Sequence, residues 1–539
     1  LTAGFNQIVG GSAGVALAAI PGAIQTVANY SPSTINVYPA ANLPALTWNQ
    51  QNQTCWGQLF LTWSETGQAS INSQTAGQPY SLASSSVQTF YCFSETVIYC
   101  GAAAPVILSI TPDSCYLSGN TYIVITGVGL TSITNVFFGN VPSQYVFIKS
   151  DTELHVSPFP VSSAQTVTLT LTSPYGITST PFTFVAQEIS GTLTFYSKPA
   201  NALAFTSICT GNDGNLWWGN YAYLSNPNGF TMTPENTNYN PFYLTGGSAE
   251  STLCDTWGWI PGSGGNIWAV DRGNLVLWKI PPSLSGITPF SLPGAVANFQ
   301  YPQDVCVGAD GAFYVISSAY TSSGNIPAAT QFLWRVTDPG VVTTFMFSLN
   351  ISLNNICNAP NGNLWITWSD LVSKTGVMEV TTGGVLVNKW TLNVPNSGTL
   401  SPNNNFPFGL VSDGIGNLWC GYWSTTDAPS ISGLAKIPTS NPTAASYYQI
   451  YNNRSSVVCG LCVGPDGNIY CVGGQQGYVS DGCYFHQVTP NGAITPYEIT
   501  NPAPQSGDTP IGVCVGSNGY LYATYFGNYN TDDGIHQLS

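Results

Sequence analysis

Charge is what this chain most lacks. Only 6% of its residues are Asp, Glu, Lys or Arg, nine of them basic, and the net charge is −15. An ordinary soluble chain carries about 25% charged residues. Nucleic acid and anionic membrane surfaces both need a basic footprint, so neither is expected as a partner. Long apolar runs are missing as well. No stretch of 18 or more apolar residues occurs, as a membrane-spanning helix would require. Histidine is scarce, with only His155, His486 and His536. No G-x-S-x-G, H-E-x-x-H or phosphate-cradling glycine loop is present.

These absences do not describe a disordered chain, which combines low hydrophobicity with high net charge. Hydrophobic residues make up 43% and aromatics 13%. The composition predicts a β-rich protein whose surface is built from uncharged polar groups. Such a surface responds little to pH, and an extracellular, acid-tolerant setting is expected. The segment Ala13 to Ile24 is apolar but broken by Gly14, Pro21 and Gly22, and no charged residue precedes Glu65. It reads as a buried element, as an arm set against neighbouring subunits or as a membrane-inserting segment. The N-terminus at Leu1 reads as processed or trimmed.

A repeat sets the architecture. Cys209-Thr-Gly-Asn-Asp-Gly-Asn-Leu-Trp217 recurs at Cys306–Tyr314, Cys357–Trp365, Cys462–Tyr470 and Cys514–Tyr522. Two further copies, Ile260 to Trp268 and Val411 to Trp419, lack the cysteine. Seven copies about fifty residues apart are the period of a β-propeller. In each copy an apolar strand runs into a Gly-containing turn, Asp-Gly or Asn-Gly in most, the strongest short hairpin signal. The next strand opens with an aliphatic residue or Phe and then an aromatic: Trp217, Trp268, Tyr314, Trp365, Trp419, Tyr470 or Tyr522. The seventh copy ends on a third strand, 535–538, and its fourth appears far upstream as Gly191–Tyr196. Pairing of these two segments is expected to close the ring and remove its exposed edges.

The repeats over 189–539 resemble the NHL-like and virginiamycin B lyase-like propellers, whose blades carry a similar Pro-Asp-Gly-Asn-Leu-Trp turn. That resemblance implies a seven-bladed fold. It also implies catalytic His, acidic and metal-binding loop residues near the central channel, and neither propeller histidine sits on such a loop. Upstream, Pro105–Pro112, Tyr122–Leu130, Val136–Gly139, Glu153–Val156 and Pro181–Phe184 resemble an IPT/TIG domain, an immunoglobulin-like sandwich. Alternating strands with turn residues every eight to twelve positions predict the sandwich independently. The run Val27–Tyr38 with Gly77–Leu82 resembles small β domains of viral and phage structural proteins.

The expected fold is therefore all-β. Residues 1–104 form an N-terminal β domain for anchoring and assembly, 105–187 an Ig-like spacer, and 188–539 a seven-bladed propeller closed by an N-terminal strand. Cys, Val and Ile alternate at one repeat position, so the repeat cysteines read as core thiols rather than metal ligands. Disulfides are more plausible among Cys55, Cys92, Cys100, Cys115, Cys459 and Cys471, with connectivity open. N-x-S/T triplets at Asn29, Asn52, Asn350 and Asn453 are candidate glycosylation sites. Aromatics outside the repeat positions, Trp218, Trp257, Trp259, Trp368, Tyr422 and Trp423, are candidate recognition residues. No catalytic residue, metal or cofactor is expected.

The organisation suggests a non-enzymatic extracellular protein: a virion surface spike or turret with the propeller as host- or glycan-binding head. A cell-surface adhesin, S-layer or pilus-associated protein follows the same logic, and a secreted propeller lyase is the enzymatic alternative. Expected partners are other structural subunits through the N-terminal domain and a host or cell-surface protein or glycan through the propeller, within a larger assembly.

Overall fold

The computed structural model describes residues 104–539 apart from 198–201, 203, 224–226, 237, 245–252, 255, 295–299, 320–329, 339, 350, 371–373, 396–408, 425–430, 452–455, 476–482, 500–508 and 527–533. Of residues 1–103 it describes isolated strands only, among them Thr54–Trp63 paired antiparallel with Phe90–Ile98.

The described residues contain strands and short 3-10 turns and no α-helix. Residues 105–186 fold as two packed sheets of five and four strands. Their inward-facing residues alternate along each strand, as in Ile123, Ile125, Leu154, Val156, Leu169 and Leu171, all fully buried. Phe138, Phe182 and Phe184 meet edge-on in the middle of this core.

Seven sheets follow, each an antiparallel meander of four strands, the first with one extra short strand. Their innermost strands are Ala204–Thr210, Thr256–Pro261, Gln300–Val307, Ser352–Asn358, Leu410–Ser412, Ser456–Val463 and Thr509–Val515, numbered here blades 1 to 7. The fourth strand of blade 7 is Leu193–Ser197. It pairs with Gly534–Leu538 in the register Leu193↔Leu538 to Ser197↔Gly534. The ring thus closes through the segment expected from the sequence.

The repeat motif is a self-contained polar unit on an apolar base. In blade 6, Asp466 Oδ1 accepts the Asn468 amide, and Oδ2 accepts the Asn468 side chain, the Tyr470 hydroxyl and Gln487 Nε2. Asp213, Asp310 and Asp413 hold Trp217, Tyr314 and Trp419 in the same way. The turn carboxylate therefore satisfies the polar tip of a ring that is otherwise wholly buried between blades. All seven repeat aromatics have 0% exposure. Asp466→Ala should leave the Tyr470 hydroxyl without its acceptor, while Gln487 Nε2 keeps its bond to that hydroxyl. A loss of about 2–3 kcal/mol is expected by denaturant titration. A loss below about 0.5 kcal/mol would mean that the turn amides alone hold the ring.

The Ig-like domain is docked against the ring. The hairpin turns after the innermost strands define the lower face and lie nearest the axis. Blade 2 offers the backbone of Gly264 and Gly265 to the Tyr122 hydroxyl. In blade 3 a Cβ on Gly311 would stand 2.9 Å from the Val146 carbonyl. Asn358 of blade 4 donates to the Gln144 carbonyl at 2.7 Å. Gly414 of blade 5 lies under Pro160, where a Cβ would come within 1.9 Å of its carbonyl oxygen. In blade 6 the Pro465 carbonyl accepts the amides of Leu117 and Gln187. Gly519 of blade 7 abuts Gln187 and Tyr116. A domain that touches the innermost turns of six blades around a ring must lie across its axis. The domain read from sequence as a spacer is a cap.

This docking carries a thermal signature. Calorimetry of the full chain is expected to show the Ig-like domain and the propeller melting in one transition, because the contacts are spread over six blades. Two separated transitions assignable to these domains would mean tethering without energetic coupling.

Candidate functional site

With the lower turns covered by the Ig-like domain, the innermost strands form the remaining wall around the axis. Its geometry comes from a defect repeated in the blades. In blades 1, 2, 3, 4, 6 and 7 the pairing of the two innermost strands shifts register at one place. Bulges of this kind bend a strand and re-aim side chains, and they recur next to functional sites.

The residue at or just after the bulge is small in most blades: Ser207, Gly258, Gly460 and Gly512, with Gly409 at the same position of blade 5. The reason is close approach of neighbouring innermost strands. A Cβ on Gly460 would stand 2.5 Å from the Ile511 carbonyl, and one on Gly512 2.9 Å from the Ile208 amide. Blades 3 and 4 place Asp304 and Asn355 there instead.

These two side chains replace the close backbone contact with a polar one. Asp304 Oδ1 accepts the Val305 amide at 2.9 Å, and Oδ2 accepts the Ile356 amide at 3.0 Å and Asn355 Nδ2 at 3.5 Å. Asp304 therefore bridges blade 3 to blade 4. Burial pushes its carboxyl up to about 6, against the pull of the Ile356 and Val305 amides, Asn355 and Arg272. Asn355 is 1% exposed. Its amide donates to Thr367 Oγ1, and its own Oδ1 has no partner within the protein.

Arg272 reaches in from the turn of blade 2. Its Nη2 donates to Gln303 Oε1 at 2.6 Å, and its guanidinium lies 5.3 Å from the centre of the Tyr301 ring. One acid, one cation, two amides and one phenol ring are thus gathered along blades 2 to 4. Sequence reading missed them. The signal was available: aligned on the repeat, four copies have Gly where two neighbouring copies carry Asp and Asn.

The nominated aromatics lie elsewhere. Trp218, Trp259, Trp368 and Tyr422 are all buried, at 0%, 3%, 2% and 1% exposure, and Trp423 is half-buried with its indole nitrogen shielded. Trp257 lies outside the residues whose side chains are described. The recognition role expected of Trp218, Trp259, Trp368 and Tyr422 is corrected accordingly. The cause is that a blade is covered on both faces. Trp217 packs with Phe242 and Trp259 towards blade 2, while adjacent Trp218 packs with Tyr522 and Ile535 towards blade 7. Alternation along such a strand separates two interfaces rather than inside from outside.

The cysteine expectations divide in the same way. Cys115, Cys459 and Cys471 are free thiols, not disulfides. Each is buried, and desolvation raises its thiol above the ordinary range, so none is a ready thiolate for exchange. Cys55 and Cys92 lie on the paired strands Thr54–Trp63 and Phe90–Ile98, whose side chains are not described, and Cys100 lies outside the described residues, as do the four sequon residues Asn29, Asn52, Asn350 and Asn453. The repeat thiols Cys209, Cys306, Cys357, Cys462 and Cys514 pack in the clusters between blades.

Both propeller histidines are built into blade packing. His486 Nε2 meets the Tyr451 hydroxyl at 2.8 Å, and His536 lies against Phe195 and Tyr525. Burial lowers each to about 4. His155 is also buried, between the Tyr122 hydroxyl and Glu153 Oε1. Among the described residues no group of three or more His, Cys, Asp or Glu is placed to hold a metal ion. No helix among them is long and apolar enough to cross a membrane.

Sheet topology and site together define a seven-bladed propeller capped by an immunoglobulin-like domain. Residues 105–186 match the IPT/TIG domain family, one residue short of the boundary expected at 187. No curated protein matches the chain significantly. Among solved structures, a streptogramin B lyase is similar over 65% of this chain and 97% of its own, at 15% identity and a TM-score of 0.46. An auxiliary nutrient binding protein from Bacteroides ovatus is similar over 81% of this chain and 98% of its own, at 13% identity and a TM-score of 0.34. The extracellular domain of a putative hybrid two component system from B. thetaiotaomicron is similar over 98% of this chain and 61% of its own, at 14% identity and a TM-score of 0.42. Likeness at this level says nothing of activity.

Proposed function

We propose that the chain is a non-enzymatic extracellular structural and recognition protein, a virion surface spike or turret whose propeller is the host- or glycan-binding head. The observation that carries this reading is the docking of the Ig-like domain across the lower face. With that end of the ring covered, the upper face is left to point away from whatever residues 1–104 are anchored in. A nearly uncharged, polar surface suits display outside a cell. Both propeller histidines are locked in blade packing, which favours binding over the acid–base chemistry of a propeller lyase.

Electron microscopy of native particles labelled with an antibody to the propeller tests the reading. Label on icosahedral vertices is expected, with the propeller outermost. Label on a lattice or fibre would instead assign the chain to an S-layer, pilus or adhesin. Label confined to a soluble secreted fraction would sink the display role.

A further inference from the structure

We infer that the end of the Ig-like domain away from the ring is the seat of residues 1–103 of the same chain, held on Val106, Leu108, Tyr175 and Ile177. These four side chains are large, apolar and open. Leu108 and Ile177 are 68% and 67% exposed, and Val106 and Tyr175 are half-exposed. They gather at one end of the domain. Strand Ile123–Val128 begins beside Tyr122, which meets blade 2, and finishes at Val128, the partner of Val106. Strand Gly176–Val185 runs from Ile177 towards Gln187, which meets blade 6. Ala104 and Gly176 join the two halves of the patch, since a Cβ on Gly176 would stand 2.7 Å from the Ala104 Cβ. Neighbouring outward positions carry hydroxyls instead, with Ser109 bonded to Thr126 and Thr134 to Thr172. A domain free at this end would carry such groups throughout, and an exposed apolar patch marks a surface made to be covered.

Chain length and charge choose the occupant. Strands Phe90–Ile98 and Val106–Thr111 are separated by seven residues, 99–105, which span about 25 Å at most when extended. The N-terminal segment therefore stays within reach of the patch, and its local concentration there exceeds that of a separate molecule. Residues 1–103 contain only two charged residues, Glu65 and Glu95, so an apolar seat costs them little desolvation. Strand Val106–Thr111 is also the last of its sheet, paired on one side with Ile123–Val128, and a covering segment protects that open edge. Docking makes the N-terminal segment, the Ig-like domain and the propeller one stiff body, so an anchored N-terminus fixes the direction in which the ring points. The seat does not depend on what the propeller binds.

The test uses the full chain with a photoreactive benzophenone side chain in place of Leu108 or of Ile177. The same group in place of Met346, exposed on the outer strand of blade 3, is the control. Irradiation, a denaturing gel and peptide mass mapping are expected to show a product that migrates as one chain, cross-linked to peptides from 1–103 in excess over the control. A product that migrates as two chains would place a second copy on the seat and overturn the inference. So would the absence of cross-links to 1–103 above the control. Leu108→Asp with Ile177→Asp tests the energetics. Both side chains point away from the core, so the common melting of the Ig-like domain and propeller should stay within a few degrees of the parent. Loss of the apolar seat should let a protease cut at 99–105 about 10-fold faster. Cutting at the parent's rate in the folded variant overturns the seat, and the cross-linking decides by itself if that variant fails to fold.

Discussion

Deletion of residues 189–197 is expected to turn the propeller into a low-melting, aggregating species. The segment supplies the fourth strand of blade 7, five residues in register with Gly534–Leu538. Around it, the Ser539 carbonyl accepts the Gly191 and Thr192 amides, and Ser539 returns a bond to the Thr192 carbonyl. Ile189 and Leu193 cover the apolar cluster shared by blades 6 and 7, while Tyr196 reaches into the cluster shared with blade 1. Removing the strand strips these contacts and leaves Gly534–Leu538 as an unpaired edge, a template for pairing with another chain.

Loss of a strand's hydrogen bonds and apolar cover exceeds what single substitutions cost, so destabilisation above about 4 kcal/mol is expected. Light scattering during a thermal melt reads the aggregation directly. Thr194→Cys with Gln537→Cys probes the same closure from the other side. The two residues are register partners, and the Cα spacing of paired strands falls within disulfide reach. The oxidised double variant should melt higher than its reduced form. A truncated protein as stable as the parent would refute closure as the source of stability.

Acid is expected to destabilise the protein despite its nearly uncharged surface. His486 and His536 are buried with folded values of about 4, against about 6.5 in an unfolded chain. A depressed folded value means that the unfolded state takes up protons first. Their contribution is therefore complete above about pH 6.5 and is lost as pH falls through 4, by about 3 kcal/mol for each histidine. Asp304 works in the opposite sense. Its folded value of about 6 lies above the unfolded one, so its penalty at neutral pH is relieved as pH falls towards 4, offsetting about one of the two histidines.

The net expectation is a loss of about 3 kcal/mol between pH 7 and 4, read as a falling urea midpoint. His486→Met with His536→Met should reverse the slope, leaving the gain from Asp304. Methionine is the apt replacement because blade 4 places Met378 at the same repeat position, fully buried. A wild-type midpoint that holds level from pH 7 to 4 would show that both imidazoles reach water. The expectation of acid tolerance drawn from composition rests on surface charge alone, and the urea midpoint at pH 4 decides between it and the effect of the two buried imidazoles.

The sequence by itself determined the ring. An apolar strand, a Gly-containing turn and an aromatic after an aliphatic residue are short-range signals, each setting a hairpin through local φ preference and alternation. Seven of them at a constant period leave little choice of architecture. The closing strand was legible for the same reason, since the seventh repeat lacked what Gly191–Tyr196 resembles. The repeat cysteines and aromatics read correctly as core because they interchange with Val and Ile or with one another.

Only the tertiary structure decided which surfaces stay open. Trp218 and Trp368 read as exposed because a strand next to a core aromatic is normally half solvated, and a propeller blade is covered on both sides. The cap arises from contacts such as Asn358 with Gln144, 214 residues apart, and no local pattern carries that distance. Asp304 and Asn355 are ordinary polar residues in the sequence. They become a site because closure sets blade 3 beside blade 4 at the axis, where neighbouring backbones come too close for most side chains.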